Sequence, residues 1–118
     1  MSCLFNSLSH FTHDAPQAIR GRICDYLAED PELVDDMSAS LVISLESGRD
    51  LAGYVGQMRS PSTWGGAIEI RAFVQLWKRP VQVWVIRTGR WIEFPCSGDA
   101  AGSECKISWT GGHYEPMR

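Results

Sequence analysis

The sequence predicts an α+β fold, with helices in the first two thirds of the chain and strands in the last third. Apolar residues recur at three-to-four spacing as far as Trp77, which is typical of amphipathic helices. Beyond Pro80 the chain consists of β-branched and aromatic runs separated by glycine-containing turns. Helices that precede strands, instead of alternating with them, favour the α+β class.

Helices are predicted in order along the first part of the chain. The first covers residues 3–10, and the second has Asp14 as its N-cap and Pro16 in its first turn. The second helix runs to about residue 29, where Asp30-Pro31 breaks it. A weaker helical pattern then covers residues 31–45.

Two further helices have clearer signals. Asp50 can cap a helix over residues 51–58, and a strong apolar face follows Gly66 as far as Trp77. Pro80 then ends the helical part of the chain. The predicted strands are residues 81–86, 91–94, 106–109 and 113–115, of which the first two form a hairpin around a turn at residues 88–90.

The size and charge of the chain exclude several classes of protein. Its 118 residues, 44% of them apolar, suit one folded domain spanning residues 1–118. Eleven basic and 14 acidic side chains give a net charge of −3, which argues against nucleic acid as the main partner. No apolar run approaches the roughly 20 residues of a membrane span, and no signal peptide is recognisable. We therefore expect a monomer in the cytoplasm, or secondarily in the nucleus, without a membrane partner.

The cysteines and histidines do not form a metal-binding pattern. Cys3, Cys24, Cys96 and Cys105 contain no C-x-x-C pair, so neither a structural zinc site nor any other metal site is expected. Reduced thiols are expected in this compartment, although Cys96 and Cys105 could pair across their loop if oxidised. Cys24 is predicted to be a small buried side chain on a helix. No nucleotide-binding glycine loop follows a strand, and we expect no cofactor.

Residues near the two ends of the sequence could together support nucleophilic chemistry. Cys3 begins a predicted helix, where free N–H groups and the helix dipole stabilise a thiolate, the attacking form of cysteine. His113 could act as a general base, and Glu115 lies two residues further on the same face of an extended chain. These residues could form a Cys–His–acid triad. The simpler interpretation is a buried cysteine, a surface histidine and a solvated glutamate.

Four blocks together resemble the ovarian-tumour (OTU) family of cysteine proteases. Residues 3–9 (CLFNSLS) are similar to the nucleophile helix of that family, and residues 64–70 (WGGAIEI) to its central W-G-G-x-x-E-L block. Residues 81–83 (VQV) resemble the strand that follows, and residues 112–115 (GHYE) resemble the terminal histidine motif. The blocks keep the family order, and the resemblance extends over nearly the entire chain.

The resemblance implies a deubiquitinase with an OTU-like fold, a small mixed β-sheet flanked by helices. Such enzymes hydrolyse the isopeptide bond at the C-terminal glycine of ubiquitin or a ubiquitin-like modifier, which would be the partner of this chain. The implied catalytic residues are Cys3, His113 and Glu115, the last in place of the more common Asp or Asn. The glycine-rich tail of ubiquitin needs a narrow channel, for which the plausible lining residues are Trp64, Trp109, Gly111 and Gly112.

Three further features qualify this interpretation. Glu69 of the central block is expected to be a structural hydrogen-bonding residue, and Trp64 could equally pack the central helix against the sheet. The family usually has an Asp-Gly pair just before the nucleophile, whereas only Met1 and Ser2 precede Cys3 here. The domain is therefore predicted to be truncated just before its nucleophile loop.

Two other functions fit the same residues. One is a non-catalytic ubiquitin-binding OTU-like module, which the absent Asp-Gly pair favours. The other is a viral cysteine protease that processes its own polyprotein, because small OTU domains occur in viral polyproteins. The presence of both Cys3 and His113 favours the enzyme.

Overall fold

The computed structural model describes residues 3–117, which form five helices and six strands within that range. Met1, Ser2 and Arg118 lie outside the described residues, as does the expected truncation before the nucleophile loop. The elements in chain order are α1 (Cys3–Thr12), α2 (Pro16–Ala28), β1 (Glu32–Val34), β2 (Met37–Ser38), α3 (Ala39–Ser47), α4 (Leu51–Met58), α5 (Ala67–Trp77), β3 (Val81–Val85), β4 (Arg90–Phe94), β5 (Cys105–Trp109) and β6 (Tyr114–Pro116).

The main sheet has four strands in the order β4-β3-β5-β6. β3 pairs antiparallel with β4 and parallel with β5, and β5 pairs antiparallel with β6. The sheet is therefore mixed, and helices precede it in the chain. The predicted α+β class and the hairpin between the first two strands of this sheet are both confirmed.

The prediction of a helix over residues 31–45 is wrong in its first half. β1 and β2 form a small antiparallel hairpin there, and the helix α3 begins only at Ala39. Asp36 has a φ of 64°, a left-handed conformation that aspartate tolerates better than most residues and that closes the turn. The Ser38 hydroxyl then accepts a hydrogen bond from Leu41 N–H at 3.3 Å and caps α3.

Asp14 is not the N-cap of α2, contrary to the prediction. Ala15 occupies that position and supplies no side-chain hydrogen bond, while Pro16 begins the helix as expected. The Asp14 carboxylate instead accepts a hydrogen bond of 3.4 Å from the indole N–H of Trp77, at the end of α5. Asp50 does cap α4, since its carboxylate accepts from Gly53 N–H at 2.8 Å.

The packing of α1 fixes the position of Cys3. This helix packs against β6 and α2, and its Leu4, Phe5 and Leu8 side chains are buried in the core. Burial of this apolar stripe is the driving force that seats the helix. The start of α1 is thereby held beside the last strand of the chain, which follows His113. Within residues 3–117, no helix combines the length and apolar character needed to cross a membrane.

Candidate functional site

A cleft of about 340 Å³ lies between the start of α1, the segment before α5 and the corner between β5 and β6. Cys3 lines this cleft together with Trp64, Trp109, Gly111 and Gly112. The structure thus brings the predicted nucleophile and the four predicted substrate-binding residues to one place. The other described lining residues are Gly65, Gly66, Ala67, Ile70, Val83, Ile92, Phe94 and Tyr114.

Cys3 is the first residue of α1 and is 9% exposed. Its carbonyl accepts a hydrogen bond of 2.8 Å from the Ser7 hydroxyl. The first turn of a helix has N–H groups without partners in the helix, and these groups stabilise a negative charge. A thiol at this position, bordering a cleft, is suited to attack an electrophile that enters the cleft.

The other cysteines have different environments. All four are unpaired, so the possible bond between Cys96 and Cys105 is not formed. Cys24 is fully buried, as predicted, and burial raises the pKa of its thiol to about 11. Burial also raises the pKa of the Cys105 thiol. Both thiols are therefore protonated near neutral pH and lie away from the cleft lining.

His113 and Glu115 contact each other at the end of the chain. The distance from His113 Nε2 to Glu115 Oε1 is 3.4 Å, and the two side chains are 46% and 69% exposed. Neither belongs to the described lining of the cleft, but both sequence neighbours of His113, Gly112 and Tyr114, do. The predicted base and acid are thus adjacent to each other, and the residues on either side of His113 border the cleft that contains Cys3.

Tyr114 is a lining residue that sequence reasoning missed. It pairs in register with Trp109 across β5 and β6, and their rings stack with centroids 6.1 Å apart. Burial, and secondarily the charge of Cys3, raises the pKa of the Tyr114 hydroxyl to about 12. A partly buried aromatic residue directly after a histidine in an extended segment is the signal that could have identified it.

The opposite side of the cleft is the strip formed by Trp64, Gly65 and Gly66, which we call the Trp64 wall. A Cβ atom placed on Gly112 would lie 4.0 Å from Trp64 Cζ3, so the glycine corner and the wall approach closely. Glu69 accepts a hydrogen bond of 2.7 Å from Gly66 N–H, which confirms its predicted structural role. Glycine offers no side chain in return, so only one half of a capping box forms.

Among the described residues, no group of three or more His, Cys, Asp or Glu side chains could hold a metal ion. The side chains in and beside the cleft are a thiol, an imidazole, a carboxylate and aromatic rings. Such a set is able to perform acyl transfer through a covalent thioester.

Comparison with known proteins identifies the family. The model of the OTU-like cysteine protease family matches residues 2–108, and the chain belongs to that family. The matched range ends before His113 and Glu115. No curated protein matches the sequence.

Solved OTU domains share the fold. An OTU domain in complex with ubiquitin has a TM-score of 0.76 at 20% identity, over 98% of this chain. The OTUD1 OTU domain gives 0.71 at 17% identity, with 98% of this chain and 77% of that chain covered. The viral OTU domain protease from Dera Ghazi Khan virus gives 0.67 at 13% identity, over 99% and 76% of the two chains. The present chain spans only 62% of the ubiquitin-bound neighbour.

Proposed function

We propose that this chain is a cysteine-type deubiquitinase that hydrolyses the isopeptide bond at the C-terminal glycine of ubiquitin or a ubiquitin-like modifier. The observation that carries the proposal is the single cleft in which Cys3 lies among Trp64, Trp109, Gly111 and Gly112. Membership of the OTU-like cysteine protease family and the ubiquitin complex of a structural neighbour support it.

In the proposed mechanism, Cys3 is the nucleophile and His113 the general base. His113 takes the thiol proton, and the Cys3 sulfur attacks the carbonyl carbon of the terminal glycine. When the tetrahedral intermediate collapses, the C–N bond breaks and His113 gives its proton to the leaving lysine amine. Water, deprotonated by His113, then hydrolyses the thioester and releases the free carboxylate and the Cys3 thiol.

Glu115 would hold and stabilise the His113 imidazolium. The 3.4 Å contact between His113 Nε2 and Glu115 Oε1 supports this role. It leaves Nδ1 as the ring nitrogen that would exchange a proton with Cys3. Backbone N–H groups in the first turn of α1 would stabilise the developing oxyanion.

The shape of the cleft fits a substrate that ends in two glycines. Gly112 and Trp64 approach each other closely where they border the cleft, since a Cβ placed on Gly112 would already contact the Trp64 ring. A chain without side chains at its last two positions can lie in such a channel and present its carbonyl to Cys3. The aromatic surfaces of Trp109 and Tyr114 would cover the peptide from the other side.

The test is covalent labelling with a ubiquitin that carries a thiol-reactive group at its C-terminus. The parent protein should form a 1:1 adduct, and Cys3→Ala should form none. Cys96→Ala is the matched control, because that thiol is partly exposed but lies outside the cleft lining, and it should label as the parent does. An adduct that persists in Cys3→Ala would contradict the assignment of the nucleophile.

Two other outcomes would point to the other functions. Reversible ubiquitin binding by a folded protein that forms no adduct would indicate a non-catalytic ubiquitin-binding module. Cleavage of a longer precursor at its own boundary, without ubiquitin hydrolysis, would indicate a polyprotein-processing protease. The similarity of fold to the viral OTU domain proteases from Dera Ghazi Khan virus and Taggert virus favours including that assay.

A further inference from the structure

We propose that Glu69 is a positioning residue for this reaction, which acts through Gly66 to hold the Trp64 wall against the cleft, and that Arg20 anchors the loop leading to that wall. The inference rests on the proposed function, since the wall is part of the cleft that would receive the substrate tail. Neither side chain lines the cleft that contains Cys3, so their influence would pass through the backbone of the wall.

Glu69 is almost completely buried, with 1% of its surface exposed. Each carboxylate oxygen has a separate partner: Oε1 accepts from Gly66 N–H at 2.7 Å, and Oε2 accepts from the Tyr54 hydroxyl at 2.6 Å. Burial raises the pKa of Glu69, while these two hydrogen bonds and Arg20 act in the opposite direction. Burial of a carboxylate is unfavourable unless its oxygens are hydrogen-bonded. Here the two hydrogen bonds connect the backbone of the wall, at Gly66, to the Tyr54 side chain of α4.

Arg20 is fully buried and anchors the other part of the same loop. Its Nη1 donates to the Met58 carbonyl at 2.8 Å, and Nη2 donates to the Pro61 carbonyl at 3.3 Å. The guanidinium carbon also lies 4.3 Å from the centre of the Phe5 ring. One cation thus joins the end of α4, the following loop and the helix that begins with Cys3.

The wall itself contacts that helix. A Cβ atom on Gly65 would lie 2.8 Å from Leu4 Cδ2 and 3.1 Å from two atoms of the Phe5 ring. Leu4 and Phe5 directly follow Cys3 in α1. The spacing between the thiol and the wall is therefore set within one contiguous group of packed residues.

The wall needs this support because clefts lie on both of its sides. A second cleft, of about 400 Å³, is lined by the same segment, residues 64–67, and by Tyr54 and Glu69. Trp64 is 59% exposed. A strip with a cleft on each side has fewer packed neighbours than a core segment, so its position depends on the hydrogen bond to Gly66 and on the tight contacts of Gly65 with Leu4 and Phe5.

The test is a double-mutant cycle between Glu69→Gln and Trp64→Ala, measured with ubiquitin carrying a C-terminal fluorophore. The glutamine keeps one acceptor oxygen for Gly66 N–H, but it removes the carboxylate charge from that hydrogen bond and requires the Tyr54 hydroxyl to accept instead of donate. We expect kcat/KM to fall about tenfold, mainly through KM, when Trp64 is present, and by less than about twofold in the Trp64→Ala background. An equal loss in both backgrounds would overturn the proposal.

Tyr54→Phe is the matched control. It removes the other hydrogen bond of Glu69 but leaves the contact to Gly66, so it should lower Tm without the KM effect. A KM effect as large as that of Glu69→Gln would mean that Glu69 acts through general stability alone, and would also overturn the proposal.

A second measurement is independent of catalysis. If the parent protein hydrolyses no ubiquitin substrate, the proposed function fails, but the positioning role can still be read by amide hydrogen exchange. Glu69→Gln should speed exchange of the Gly66 N–H about tenfold or more while residues 70–76 of α5 remain protected, and Tyr54→Phe should not. Unchanged exchange at Gly66 in Glu69→Gln would overturn the inference.

Discussion

The two sides of the cleft are built in different ways. The buried Glu69 side chain holds the Trp64 wall through Gly66, Arg20 holds the loop that precedes the wall, and Gly65 packs tightly against α1. The opposite side carries Gly111, Gly112 and His113, all of which are exposed. Gly111 has a φ of 106°, a conformation that is open to glycine and strained for other residues.

Because of this difference, we expect one side of the cleft to affect mainly the stability of the protein and the other side to affect mainly its activity. Substitutions of the buried residues on the packed side should lower the stability of the fold, whatever their effect on the reaction, because buried contacts are lost there. Substitutions on the exposed side remove few contacts, so their effects should be confined to activity. Variants of both sides should reveal this contrast, and we expect the largest change in activity at His113.

His113→Ala should abolish most of the activity without weakening the fold. Loss of a general acid–base typically costs about 10³-fold in kcat, within a range of 10² to 10⁴. Because the side chain is 46% exposed, the free energy of unfolding should change by less than about 0.5 kcal/mol. Steady-state hydrolysis of a fluorogenic ubiquitin and urea unfolding would measure the two quantities. A decrease in the free energy of unfolding well above 0.5 kcal/mol would contradict the contrast between the two sides of the cleft.

Gly112→Ala should narrow the channel without disturbing the structure around it. The added methyl would lie 4.0 Å from Trp64 Cζ3, in ordinary contact, and it would occupy the space proposed for the substrate tail. We expect kcat/KM to fall about 10- to 100-fold, since misplacement of a substrate by about 1 Å can cost 10²-fold.

Gly21→Ala serves as the control for that change. It lies within α2, a Cβ there meets nothing within 4 Å, and the helix should gain about 0.5–1 kcal/mol of stability with unchanged activity. Equal kinetics of Gly112→Ala and the parent protein would exclude Gly112 from the substrate channel.

Gly65→Ala should have the reverse effect, a loss of stability on the packed side. Its Cβ would overlap Leu4 Cδ2 at 2.8 Å, and Phe5 behind it is fully buried and has no room to move. Overpacking of this kind costs about 1–3 kcal/mol, which thermal unfolding would detect as a lower Tm. A variant as stable as the parent would show that the contact between the wall and α1 is loose.

The buried carboxylate on the packed side should make stability depend on pH. The pKa of Glu69 is raised above its ordinary value of 4.5, so its proton is bound more tightly in the folded state than in the unfolded state. This contribution to stability is complete below the pKa of the unfolded state and is lost as the pH rises through the pKa of the folded state. The parent protein should therefore gain stability relative to Glu69→Gln as the pH falls from 8 to 5. Urea unfolding of both proteins over that range measures the difference, and a difference that is constant or has the opposite slope would contradict the prediction.

Glu115→Gln should have the smallest effect. The contact with His113 is 3.4 Å long and both side chains are well exposed, and exposed ion pairs contribute up to about 1 kcal/mol. We expect kcat to fall about fivefold or less, with no change in Tm. A loss as large as that of His113→Ala would mean that the pair is shielded from solvent when substrate is bound.

Most of the local structure was predictable from the sequence. The Asp50 cap of α4, the apolar face of α5 and the β-branched and aromatic run of β3 depend on neighbouring residues. The exceptions were the N-cap of α2, which is Ala15 and not Asp14, and the hairpin of β1 and β2, where a pattern interpreted as helical contains the left-handed conformation of Asp36. Periodicity alone does not separate short strands from a weak helix.

The sequence by itself also determined which residue types are available for chemistry, because Cys3, His113 and the Trp64-Gly65-Gly66 block are recognisable motifs. Only the tertiary structure decided that Cys3 shares a cleft with Trp64, Trp109, Gly111 and Gly112, since these residues are up to 109 positions apart in the chain. The burial of Arg20 had no sequence signal at all, because arginine is usually exposed. Its cost is offset by the carbonyls of Met58 and Pro61, partners that become neighbours only when α2 and α4 pack together.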